Sequence, residues 1–217
     1  MSMLRAMRFF TVVPVVSKPM LAAFALATLC GSAAIAVEPG YGPRATAPVL
    51  LLQLFAASSG FLIPARRGHY DLLLTSGGGR LAIGVAHWTM SVFPGALAWL
   101  ALAATERAAG GHALASSGTL AAMVMTSTLP WALSIPLSRM SGAVVWLLTC
   151  MTLAISVPVD DTHGLGLDRL LPWAMIGRDL HGIEAVSGAM IVIAGGASLL
   201  LSFNWIRGMH FPLESSQ

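Results

Sequence analysis

The segment Leu81–Ala104 reads LAIGVAHWTMSVFPGALAWLALAA, 24 residues without one charged side chain. As a helix it would extend about 36 Å, enough to cross the roughly 30 Å hydrocarbon core of a bilayer. Reading outward from it, apolar runs predict further spans over 20–37, 46–64, 115–137, 142–158 and 184–205. Across 217 residues, hydrophobic types make up 56% and charged types 10%, with a mean hydropathy of +0.79. A soluble domain carries about 25% charged residues. The composition therefore excludes a soluble enzyme, a disordered chain and a secreted disulfide scaffold. The expected fold is an all-α integral membrane protein with six transmembrane helices, one domain over residues 1–217.

The net charge of +3 and pI near 9.4 read as a topology signal rather than a nucleic-acid footprint, because basic residues collect on the cytoplasmic side of membranes. With the N-terminus inside, the inner segments hold Arg5, Arg8, Lys18, Arg66, Arg67, Arg80, Arg139 and Arg207. The outer segments hold only Arg44, Arg107, Arg169 and Arg178. Both termini are thus expected in the cytoplasm. Trp88, Trp146 and Trp205 fall near inner ends and Trp99 near an outer end, where amphipathic rings favour the headgroup zone. Cys30 and Cys150 lie in apolar runs and read as small hydrophobic side chains. The first run precedes Ala34-Ile35-Ala36, which imitates a signal cleavage site. The long leading segment favours a retained span.

Three segments are not simple spans. Residues 1–19, with Arg5, Arg8 and Lys18 among Met3, Leu4, Met7, Phe9 and Phe10, suit an interfacial helix, broken by Pro14 and Pro19. The inner loop 65–80 contains Arg66-Arg67-Gly68-His69-Tyr70-Asp71-Leu72-Leu73-Leu74-Thr75, then Gly77-Gly78-Gly79-Arg80. Its short amphipathic helix, about His69 to Leu74, needs a docking partner to be stable. The glycine triplet is a hinge, not a phosphate cradle: a P-loop needs Lys after Gly, and the chain's one lysine, Lys18, stands between Ser17 and Pro19. The outer loop 159–183 carries Asp160, Asp161, His163, Asp168, Asp179 and His181 without a recognised metal-ligand spacing. No metal site is expected. Leu170 to Ile176 is apolar but too short to span, which suits a re-entrant or interfacial segment.

Polarity inside the spans is scarce. Gln53 is the one amide in the first five, and His87 reads as structural. Two roles stay open for Gln53, Ser58 and Ser59: lining a translocation path or hydrogen bonding between helices. Met123, Met125, Met140 and Met151 suit an adaptable apolar path or ordinary packing. Gly188, Gly195 and Gly196 permit close helix approach.

The order of an inner surface helix, two spans, an amphipathic inner loop, three spans, an outer re-entrant segment and a last span resembles the membrane subunit of type-2 ATP-binding-cassette exporters. The most specific local element is the stretch Arg66 to Thr75 followed by Arg80, which is similar to the family's coupling helix. Leu170 to Leu180, with Pro172, Trp173, Arg178 and Asp179, is similar to its outer re-entrant hairpin. The chain departs from the family in having Ala65, Arg66 and Arg67 where glutamates are common, and a glycine triplet where proline is common.

The resemblance implies a non-catalytic, pathway-forming subunit in the bacterial cytoplasmic membrane. It implies two copies of a separate ATPase that binds ATP and Mg, and a second copy of this chain or a homologous permease. No cofactor is implied in this chain. Arg66, Arg67, His69, Tyr70, Asp71, Leu72 and Leu73 would contact the ATPase; Gln53, Ser58, Ser59 and Met151 would face the pathway; Pro172 and Trp173 would form an outer gate. The apolar chain favours an amphiphilic or hydrophobic cargo. The competing readings are a membrane-embedded lipid-modifying enzyme using Asp160, Asp161, His163, Asp168 or His181, and a passive channel or assembly factor.

Overall fold

Glu38 stands before Pro39, and a residue before proline is driven out of the helical region. In the computed structural model Glu38 has φ −136° and ψ 99°, and the first helix, α1 (Lys18–Val37), ends there. Its start follows the same logic, since a proline in the first turn, Pro19, is pre-set for helix and lacks only an N–H that has no partner anyway. A 3-10 turn (Pro39–Tyr41) leads into α2 (Gly42–Gly60). Then follow α3 (Arg80–Ala108), α4 (Ser117–Ser134) and α5 (Ala185–Gly208). The structure describes residues 16–60, 80–111, 117–135 and 185–208, with 114, 144, 147 and 151 singly.

Every element among the described residues is helical, as the composition predicts. The helices cover five of the expected runs. The sixth, 142–158, lies outside the described residues except for Val144, Leu147 and Met151, which are helical and exposed. Among the described residues, two helices, α1 and α3, are long and apolar enough to cross a membrane. Residues 1–15 of the expected interfacial helix 1–19, residues 65–79 of the expected inner loop 65–80 and all of the expected outer loop 159–183 also lie outside the described residues, whereas Lys18 and Pro19 belong to α1 and Arg80 to α3.

α3 is the centre of the bundle and packs on α1, α2, α4 and α5. Its end is built by Gly110, whose φ of +86° suits a residue without Cβ. Gly111 N–H donates to Glu106 O at 2.9 Å and Gly110 N–H to Arg107 O at 3.1 Å, the paired bonds of a Schellman cap. That cap carries the helix past the expected limit of 104 to Ala108.

Direction follows from the contacts. Ser32 on α1 meets Thr105 on α3, so these two helices run the same way. Trp131 on α4 meets His87, and Arg207 on α5 meets Arg80, so α4 and α5 run opposite to α3. Lys18, Arg80 and Arg207 consequently gather at one end, whereas Glu38, Arg44, Glu106 and Arg107 lie toward the other.

Trp99 departs from its expected place in the headgroup zone. It is buried in the cluster with Ile35, Val49, Ala98 and Leu102. The reason is geometric: Gly31 has no Cβ, so Leu102 Cδ2 and Ala45 Cβ stand 2.9 and 3.3 Å from where one would be. The three helices close tightly around this point and enclose the indole.

Candidate functional site

Pro48, Pro94 and Pro130 lie inside α2, α3 and α4, one in each. An internal proline removes the N–H that would satisfy the carbonyl four residues earlier. In an apolar bundle the loosened backbone must find other donors, commonly from a neighbouring helix. Gln53 of α2 donates beside that gap: its Nε2 lies 2.7 Å from the carbonyl oxygen of Ser91, the residue after Met90, whose carbonyl Pro94 leaves without its helical donor. The side chain is fully buried. Among the described residues its Oε1 has no hydrogen-bond partner, and it faces Gly95, where a Cβ would fall on it.

A polar layer continues from Gln53 toward α4 and α5. Ser91 Oγ donates to Trp88 O at 2.8 Å, and Trp88 Nε1 donates to Thr128 Oγ1 at 3.0 Å. Trp131 Nε1 donates to Nδ1 of the buried His87 at 3.0 Å. A neutral ring accepting at Nδ1 carries its proton on Nε2. The Trp131 ring stacks on His87 and meets Phe203 edge-on, with centroids 6.4 and 5.9 Å away. Ser127, Thr128 and Ser134 return their hydroxyls to carbonyls of α4 itself. The layer includes no carboxylate, lysine or arginine among its named residues. It can orient a hydrogen-bonding group but offers no nucleophile–base pair between its named contacts.

A second polar focus lies at the far end of α3. The Glu106 carboxylate is buried and accepts the Leu114 N–H at Oε2, 2.7 Å away. Its Oε1 lies against Gly42, the first residue of α2, where a Cβ would overlap it. A negative group beside a helix N-terminus is favoured by the helix dipole. This explains why α2 begins at Gly42, ahead of the expected 46. It also leaves Glu106 1% exposed, although the residue lies just past the apolar run 81–104.

Of the sequence-predicted pathway residues, Gln53 is buried in the α2–α3 seam, and Ser58 and Ser59 lie in the last turn of α2 with side chains outside the described set. Met151 is helical and exposed, on the same side as Val144 and Leu147 by helical spacing. Arg66, Arg67, His69, Tyr70, Asp71, Leu72 and Leu73 lie outside the described residues. So do Pro172, Trp173 and the acidic and histidine residues of the outer loop. Among the described residues, no three His, Cys, Asp or Glu side chains form a metal-binding group.

Sequence reasoning missed Ser91, Trp131 and Thr128 as partners in the polar layer, and Glu106 as a buried anchor. The glycine pair 110–111, just beyond an apolar run, was the signal for the cap. Nothing comparable marks Ser91, whose contribution is a backbone carbonyl. Set against known proteins, the chain matches no protein-family model, no curated protein and no solved structure.

Proposed function

We propose that this chain is the pathway-forming membrane subunit of an ATP-driven exporter of the type-2 ATP-binding-cassette class. In this reading it has six spans, sits in the bacterial cytoplasmic membrane with both termini inside, and moves an amphiphilic or hydrophobic cargo. One observation carries the most weight. The segment 61–79 leaves α2 and returns to α3 at the end where Lys18, Arg80 and Arg207 gather. Basic residues favour the cytoplasmic face, so this end suits a loop that meets a soluble ATPase.

The count of spans has its own support. α4 ends, and α5 also ends, toward the Arg80 end of the bundle. In the proposed topology the chain between them crosses once more, and 142–158 is the apolar run assigned to that crossing.

The mechanism follows from a separation of tasks. A partner ATPase binds ATP and Mg and closes on hydrolysable nucleotide. The inner loop, through Arg66, Arg67, His69, Tyr70, Asp71, Leu72 and Leu73, transmits that closure to α2 and α3. Gln53 joins these two helices, so it is the side chain through which a change in their angle reaches the polar layer. Parting of the seam would present Gln53 Oε1 to cargo, with Ser58, Ser59 and Met151 toward the pathway and Pro172 and Trp173 toward its outer gate. Pro94 gives α3 a place to bend.

Purification in mild detergent tests the reading. A soluble ATPase is expected to co-elute in equal stoichiometry, and Asp71→Arg or Leu73→Glu is expected to release it. Association unchanged by both substitutions, or no nucleotide hydrolysis in the preparation, would overturn the reading in favour of a channel or assembly factor. Loss of lipid turnover on substituting Asp161 and His163 by Ala, with assembly intact, would favour the enzyme.

A further inference from the structure

We propose that the outward face of α5 holds one anionic phospholipid, with its phosphate at Arg207 and Arg80. Ile193, Leu200 and Arg207 recur at seven-residue spacing, so they share one face of the helix. Ile193 and Leu200 are 69% and 73% exposed, and the adjoining Leu201 is 71% exposed. Arg207 is exposed at the end of this apolar stripe. From Ile193 to Arg207 the rise is about 21 Å. A single leaflet contributes about 15 Å of hydrocarbon plus its headgroup layer. The stripe thus has the length of one lipid, apolar along the acyl chains and cationic at the headgroup.

The second cation comes from α3. Arg80 Nη1 donates to the carbonyl oxygen of Arg207 at 2.8 Å, which fixes the base of one arginine against the other. That bond uses one of the guanidinium N–H donors and leaves the rest for another acceptor. Among the described residues the carboxylates are Glu38 and Glu106, both toward the opposite end of the bundle. Two guanidinium groups at a headgroup level match a phosphodiester in charge and in donor geometry. A second copy of the chain fits this face less well, because a two-fold contact through it would bring Arg207 toward its own equivalent.

The inference rests on the membrane placement proposed above and not on an ATPase partner. The test uses the full chain in mild detergent, offered phosphatidylglycerol or phosphatidylcholine with identical acyl chains, and reads bound lipid by native mass spectrometry. Wild type is expected to retain phosphatidylglycerol about tenfold over phosphatidylcholine, which has the same phosphodiester but whose choline cation is repelled by the two guanidinium groups. Arg207→Gln keeps the backbone carbonyl held by Arg80 and is expected to bring the ratio close to one, at unchanged helix content and elution volume. Leu200→Ser is expected to lower retention of both lipids together.

Equal retention of the two lipids by wild type, or a ratio unchanged in Arg207→Gln, would overturn the assignment. Displacement of phosphatidylglycerol by inorganic phosphate would replace it with a soluble-anion site. Disulfide-linked dimers formed through Leu200→Cys in membranes would replace the lipid with a second copy. Any of these with an ATPase still co-eluting leaves the exporter reading standing. A chain recovered in the soluble fraction without detergent removes the basis of both.

Discussion

Gln53 on α2 holds the carbonyl oxygen of Ser91 on α3 at 2.7 Å, three residues ahead of Pro94. The bond ties the middle of one helix to the turn of another that proline has weakened. Gly95 makes room for it, because any Cβ there would meet the Gln53 amide.

Gly95→Ala is expected to destabilise the folded chain in detergent by about 1–3 kcal/mol, as overpacking does. Gln53→Ala removes the group that the new methyl would strike. The double variant should therefore lose less than the sum of the single losses. Thermal unfolding of the four proteins checks this, and strict additivity would show that the two residues do not share the space.

Glu106→Ala takes away the acceptor of the Leu114 N–H and is expected to cost about 1–3 kcal/mol. Glu106→Gln keeps a neutral acceptor and should cost less. Amide exchange reads the difference locally. Protection at Leu114 should fall furthest in the alanine variant, while protection near Arg80, at the far end of α3, stays constant.

Trp131→Phe retains an aromatic ring beside Phe203 but deletes the N–H that His87 accepts. The expected loss is about 1 kcal/mol for the hydrogen bond. Trp131→Ala also opens a cavity, and should cost about 3–5 kcal/mol. Equal losses in the two variants would mean that the indole N–H, rather than ring packing, dominates at this position.

Gly110→Ala isolates the backbone. Among the described residues, chain neighbours apart, no heavy atom lies within 4 Å of the position a Cβ would take, so the substitution is expected to meet chiefly the cost of its φ of +86°. That cost should be about 1 kcal/mol, and Gly110→Asn should recover part of it. A loss several times larger would point to contacts beyond the cap.

Helix existence was legible because it depends on local properties. Leu81 to Ala104 has no charge to stop a helix in an apolar medium, and Glu38-Pro39 ends α1 through a clash between adjacent residues. Helix ends were legible only where the cap is local. The start of α2 at Gly42 was not, since the carboxylate beside it comes from Glu106, on the far side of α3 in the sequence.

Which face each helix turns inward was decided by the tertiary structure alone. Leu100 and Leu102 are identical side chains two residues apart, yet Leu102 is buried and Leu100 exposed. In an amphipathic helix the polar stripe would have announced the inner side, but a helix apolar all round gives no such contrast. The inward faces here are chosen by shape: Gly31 admits Leu102, and Gly95 admits Gln53. Close approach of this kind depends on two distant segments at once. Composition and local clashes, by contrast, act within a few residues, and they were enough to determine from the sequence that the chain is helical, apolar and interrupted by prolines.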